Sequence, residues 1–143
     1  MGKFMAVAKF PVGGWMFQAL LPAKPGKSAD NPSFALEDLG KLQRAAARWL
    51  AENGAISKES VRFLRSMADL TQSATAQLLE VEVRTVARWE AGDSVIDRAR
   101  FFALASLALE KVEGGETRSL LRAEPALRAK PAWSTGDVDL KVA

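Results

Sequence analysis

The sequence predicts a mainly α protein, a bundle of five helices led by a small N-terminal element of a different kind. Three observations carry this. Apolar residues recur at spacings of three and four from Leu36 to Val112, the period of helices with one face turned inward. Gly, Ser, Thr and Pro break that pattern often enough for a compact bundle rather than a long coil. Of the 143 residues, 48% are hydrophobic and 26% charged, a balance that supports a buried core and argues against wholesale disorder.

The chain opens with two short runs, Lys3 to Phe10 and Trp15 to Leu21, parted by Pro-Val-Gly-Gly. Phe4, Ala6, Ala8 and Phe10 share one parity and the break is rich in turn formers, so the pair reads as a β-hairpin. Two strands alone are marginal and need a helix or a partner chain to lie against. The basic start and apolar middle suggest a signal peptide, but Lys9, Pro11 and Gly13-Gly14 interrupt the apolar block and no small-residue cleavage site follows. The expectation is therefore a cytoplasmic protein.

Residues 22–33, PAKPGKSADNPS, read as a linker or exposed loop. A helix follows from Leu36 to Asn53, with Leu39, Leu42, Ala46, Trp49 and Leu50 on one stripe and Gly54 where a C-terminal cap belongs. Ser57 before Lys58-Glu59 is a reasonable N-cap for the next helix, although Ser60 makes a poor third member of a capping box. That helix carries Val61, Leu64 and Ala68 and ends near Asp69. Two short helical units fill Leu70 to Gly92, and a longer helix runs from Ile96 to Val112. Its apolar residues, Phe101, Phe102, Leu104, Ala105, Leu107, Ala108, Leu109 and Val112, cover more than one face, which implies a second contact. After Gly114-Gly115 the sequence reads as a loosely ordered or partner-binding tail with one amphipathic piece, Thr117 to Arg122. The expected division is 1–35 for the N-terminal element and linker, 36–112 for the helical domain and 113–143 for the tail.

The chain has neither Cys nor His. Disulfides, thiol nucleophiles, imidazole bases and thiolate or imidazole metal sites are excluded on that ground. No clustered Asp/Glu run suits Mg or Ca, and pairs such as Glu37 with Asp38 or Glu80 with Glu82 lack a basic partner for acid/base work. No enzyme, metal or cofactor is expected. No apolar run reaches the roughly 18 to 20 residues that span a bilayer, so no membrane partner is expected either. The net charge of +3 resides in residues 1–54, with seven Lys/Arg against four Asp/Glu; residues 55–111 hold eight of each. Attraction to nucleic acid would have to come from the placement of arginines rather than from bulk charge.

Leu70 to Gly92 reads LTQSATAQLLEVEVRTVARWEAG. A helix opening at Thr71 as N-cap turns Ala74, Leu78 and Leu79 inward, and small Ala76 lets a neighbouring helix cross closely. Val81 anchors a tight turn. A second short helix from Glu82 to Glu90 turns Val86 and Trp89 inward and leaves Val83, Arg84, Thr85, Ala87 and Arg88 on or near its outer surface. Two short helices about an apolar anchor form a helix-turn-helix, whose second helix can enter a major groove. Arg84 and Arg88, four apart, each offer a planar fork to guanine O6/N7 or to phosphate. Gln72 can donate to phosphate or pair with adenine, and Thr85 can use its hydroxyl in the same way. Arg62 and Arg65 on the preceding helix, with Thr71, are candidates for the DNA backbone.

Leu70, Thr71, Gln72, Ala76, Leu78, Val81, Thr85, Val86, Arg88, Trp89, Glu90 and Gly92 together resemble the xenobiotic-response-element, or lambda-repressor-like, helix-turn-helix family. Preceded by VRFLRSMADLT and followed by a long helix, the segment is most similar to the DNA-binding half of MqsA-type antitoxins. The resemblance implies a lambda-repressor-like bundle and a dimer that represses its own operon. It also implies DNA contact through Gln72, Val83, Arg84, Thr85 and Arg88, with Trp89 and Glu90 structural. Three departures stand out. Glu80 occupies the turn position where the family carries Gly, which costs roughly 1 kcal/mol in a left-handed conformation and implies a reshaped turn. Glu82 replaces the usual Ser N-cap and either repels phosphate, unless a neighbouring Arg neutralises it, or reads cytosine N4. The zinc module of MqsA-type proteins cannot form without Cys, so residues 1–35 fall outside the resemblance.

Trp49 and Trp89 hold helical core positions, whereas Trp15 and Trp133 lie in Gly- and Pro-flanked segments that suit a protein interface. The expected function is a sequence-specific, double-stranded DNA-binding transcription regulator, a repressor acting as a homodimer on an inverted repeat and an autoregulating antitoxin with a toxin partner. The helix from Ile96 to Val112 and the Leu39 to Leu50 stripe are the expected dimer surface. The alternative is a protein-interaction adaptor on the same scaffold that binds a toxin, polymerase or phage protein through the N-terminal element, Trp15 and Trp133.

Overall fold

The computed structural model describes residues 4–26, 31–113 and 136–142. Among the described residues five helices accompany an N-terminal β-sheet. The chain divides into two compact units, one of residues up to Ala46 together with the C-terminal strand, the other from Ala47 through the last helix. That division falls inside the first helix, where the sequence had placed it at residue 36.

In the first unit, β1 (Met5–Val12) and β2 (Trp15–Lys24) pair antiparallel, with Val12 opposite Trp15 and Met5 opposite Pro22. Gly13 opens the turn between them at φ 58, a left-handed conformation that primed hairpin turns require and that glycine adopts without strain. Strand alternation buries Ala8, Val12, Trp15, Phe17, Ala19 and Leu21 and leaves Met5, Val7 and Leu20 open. Trp15 therefore serves the chain's own interior and not a partner.

β2 reaches past Pro22 and shortens the expected linker. β3 (Ser33–Phe34) pairs with its end, and β4 (Gly136–Asp139) lies parallel along Trp15–Gln18. The expected loose tail is thus corrected at β4. Its backbone finds partners along β2, where Leu140 N–H donates to the Gln18 carbonyl at 2.9 Å, and Gln18 Nε2 donates to Asp139 Oδ1 at 2.6 Å. The Thr117 to Arg122 piece and Trp133 lie outside the described residues.

Helix α1 (Leu36–Asn53) buries Leu42, Ala46 and Leu50. α2 (Lys58–Met67), α3 (Gln72–Leu79), α4 (Val83–Ala91) and α5 (Arg98–Glu113) follow. In the second unit Ala47, Val61, Leu64, Leu79, Val86, Trp89, Phe101, Leu104 and Leu109 belong to one core cluster. Each large apolar side chain buried there contributes roughly 1.5 to 3 kcal/mol of transfer free energy.

The helix starts are set locally. Ser57 Oγ accepts from Ser60 N–H at 2.9 Å while Ser60 Oγ accepts from Ser57 N–H at 2.8 Å, so Ser60 does complete a capping box, its hydroxyl doing what a Glu carboxylate usually does. Thr71 Oγ1 accepts from Ala74 N–H at 3.0 Å at the start of α3. Asp97 Oδ2 accepts from Arg100 N–H at 3.1 Å at the start of α5.

The ends of α1 to α4 share one arrangement: a left-handed residue followed by an N–H that reaches back five positions. These bonds run Ala55 to Leu50, Leu70 to Arg65, Val81 to Ala76 and Asp93 to Arg88. The left-handed residues are Gly54, Asp69, Glu80 and Gly92. Glu80, at φ 57 and ψ 45, takes the conformation expected of Gly, so the turn is not reshaped.

Two further expectations change. Leu78 is exposed, and the inward face of α3 is Thr75, Ala76 and Leu79, because the Thr71 cap and the Val81 anchor set the rotation of this two-turn helix. Thr75 is tolerated inside because its Oγ1 donates to the Thr71 carbonyl at 2.8 Å. Of the residues expected at a dimer surface, Leu42, Leu50, Phe101, Leu104, Ala105, Ala108 and Leu109 are buried within the chain, whereas Leu39, Trp49, Phe102, Leu107 and Val112 are half-buried.

Candidate nucleic-acid interface

Helix α4 is strongly two-sided. Val86, Trp89 and Glu90 are buried, while Glu82, Val83, Arg84 and Arg88 are exposed and Thr85 is half-buried. Arg84 and Arg88, one helical turn apart, share the solvent side. Gln72, half-buried, is the first residue of α3, and exposed Thr71 spends its hydroxyl on the cap. Among the described residues Arg88 makes no ion pair.

Glu82 holds the N-cap position of α4 without a side-chain cap bond. Its carboxylate turns instead to Arg84, accepting from Nε at 2.7 Å, with both side chains about 70% exposed at 70% and 69%. Such a pair adds little to stability. It does engage the Nε–H of Arg84, so the carboxylate beside the helix start has a cation next to it.

Arg65 departs from its expected role. Its Nε and Nη2 donate to the two carboxylate oxygens of Glu90 at 2.6 and 2.8 Å, and Nη1 donates to the Leu70 carbonyl at 2.8 Å. The guanidinium is thus engaged by Glu90 and by the Leu70 carbonyl. Hydrogen bonding to the Glu90 carboxylate raises the proton affinity of Arg65 above the ordinary arginine range, against the opposing effect of burial. Arg62 stays exposed and gives Nη2 to the Glu90 main-chain carbonyl at 2.7 Å. Beside it a surface depression of about 390 Å³ is lined by Arg62, Arg65, Ser66, Asp69, Leu70 and Thr71, at the N-terminus of α3.

The Arg65–Glu90 pair escaped sequence reasoning, although a signal existed. Glu90 falls on the inward stripe of its helix beside Trp89 and four residues after Val86, and a carboxylate there needs a cation. A second tie was equally unforeseen: Arg100 Nε donates to the Leu79 carbonyl at 3.2 Å while its Nη1 pairs with Asp97 at 3.1 Å. Partial burial works against ionisation of Asp97, but hydrogen bonds from the Arg100 backbone and guanidinium hold its carboxyl below the ordinary value.

Among the described residues no helix is long and apolar enough to cross a membrane. Comparison with protein families, with curated proteins and with solved structures gave no match.

Proposed function

We propose that the chain is a sequence-specific, double-stranded DNA-binding regulator of the lambda-repressor-like helix-turn-helix kind, a repressor acting as a dimer on an inverted repeat. The observation that carries this reading is the outward row Val83, Arg84 and Arg88 on a short helix whose opposite side is seated by Val86 and Trp89. Such a helix enters a major groove with its first turns leading. Arg84 presents its terminal nitrogens to guanine O6 and N7, and Glu82 acts through Arg84 rather than on cytosine. Val83, 45% exposed, meets a thymine methyl. Arg62 and the N-terminal N–H groups of α3 around Gln72 receive a phosphate at the depression beside them.

Selection from a random duplex pool tests this. An inverted repeat should be enriched, binding should weaken steeply with salt, and Arg84→Ala should cost about 1 to 3 kcal/mol while broadening the selected sequence. A pool that enriches nothing, or a selected site indifferent to Arg84→Ala, overturns the reading. The adaptor alternative loses the anchor it relied on at Trp15, which is 5% exposed.

A further inference from the structure

We propose that the free edge of β1 pairs antiparallel with the same edge of a second copy of this chain, about a two-fold axis at Val7. The backbone geometry assigns the open groups. Phe4 stands opposite Ala23 in the register that sets Met5 against Pro22, and its carbonyl accepts from Ala23 N–H at 2.9 Å. Hydrogen-bonded pairs alternate along an antiparallel ladder, so Ala6, Ala8, Phe10 and Val12 spend their backbone groups on β2. Met5, Val7, Lys9 and Pro11 therefore turn theirs to the other side. Pro11 fits this assignment: it owes β2 no N–H, and an edge strand tolerates proline only where the N–H would face outward. Among the described residues β1 pairs with β2 alone.

A second copy suits this edge for reasons of symmetry and charge. The open donors, on Met5, Val7 and Lys9, are spaced evenly about Val7. An antiparallel copy centred there sets Val7 against Val7 and Met5 against Lys9 on both sides, each pair exchanging two main-chain bonds. Lys9, the one charged side chain of the strand, then meets an uncharged methionine. The register centred on Lys9 would oppose the two lysines and match Val7 with Pro11, which has no N–H to give. Pro11 thus limits the contact to residues 5–9, and the two-fold closes it as a dimer. Met5, Val7 and Leu20, which are 41%, 53% and 59% exposed, would adjoin their copies in one apolar patch. Val7 and Leu20 are already cross-strand neighbours.

The inference goes beyond the DNA reading, for which it supplies the second copy, and its test uses no DNA, so the two fail separately. Sedimentation equilibrium of the full chain should show reversible dimerisation. Val7→Pro deletes the central donor of each copy, and Pro11 shows that the hairpin accommodates proline at this phase; the dissociation constant should rise at least about tenfold. Val7→Glu keeps the N–H and sets two carboxylates face to face, so it should weaken the dimer at low salt and recover in part at high salt. Should Val7→Pro fail to fold by circular dichroism, Val7→Glu decides. A chain that stays monomeric to about 100 μM, the weak end of specific association, or a dimer indifferent to the Val7 variants, overturns the proposal.

Discussion

Helices α3 and α4 end in the same geometry on different residues. Val81 N–H to the Ala76 carbonyl and Asp93 N–H to the Arg88 carbonyl are both 2.9 Å, yet the left-handed residue is Glu80 at φ 57 in one and Gly92 at φ 85 in the other. Glycine takes that conformation freely, whereas a side chain with a Cβ loses about 1 kcal/mol or more. Glu80 is held there by its neighbours: Val81 packs against the core, and Arg100 donates to the Leu79 carbonyl. The start of α3 is similar, since Asp69 is left-handed at φ 57 and the carbonyl of Leu70 is held by Arg65. α3 is thus bracketed by two strained residues and α4 is closed by a relaxed one. Tertiary anchoring has overruled local preference on both sides of the helix that lies nearest the proposed phosphate contact.

The largest loss is expected at Arg65, which ties the end of α2 to the last turn of α4. Arg65→Ala leaves the Glu90 carboxylate, 6% exposed, without its partner, and should lower the unfolding free energy in urea by about 3 to 5 kcal/mol. Adding Glu90→Leu should restore much of that loss; a double variant as unstable as the single one would show that the pair is not the cause. Gly92→Ala comes next, at about 1 to 2 kcal/mol in thermal unfolding. The new Cβ would lie 3.1 Å from Lys58 Cδ, a flexible chain that can move, so the φ alone sets the cost.

Glu80→Gly should go the other way, gaining about 1 kcal/mol and, by removing a carboxylate beside α4, tightening DNA binding. Stability unchanged by this substitution would mean that the anchored turn carries no strain. The smallest effect belongs to Asp97, whose side chain is 49% exposed: Asp97→Ala should cost about 0.5 kcal/mol near neutral pH. Because its carboxyl is held below the ordinary value, its contribution is present above about pH 4 and is lost as pH falls through the lowered folded value. The difference between wild type and variant, measured by urea unfolding, should vanish in strong acid.

Much of this was legible from local pattern. The cap at Thr71, the glycine ends at Gly54 and Gly92, and the outward placement of Val83, Arg84 and Arg88 each depend on residues within about one turn of helix. The misplacement of Leu78 came from the shortness of α3, where one residue of error rotates the apolar stripe onto solvent. Glu90 and Arg65 lie 25 residues apart, and Gln18 and Asp139 lie 121 apart. No periodicity in a single segment encodes such pairings.

The sequence by itself determined that helices would form between Leu36 and Glu113, where α4 would turn its arginines, and which chemistries the missing Cys and His forbid, because propensity, capping and side-chain inventory are local or compositional properties. Only the tertiary structure decided that Arg65 would be spent on Glu90, that Glu80 would stand in for glycine, and that β4 would join β2 while β1, among the described residues, pairs with β2 alone. Those outcomes depend on which distant groups meet once water is excluded, since a buried charge or an unpaired backbone group costs more than any local preference can offset.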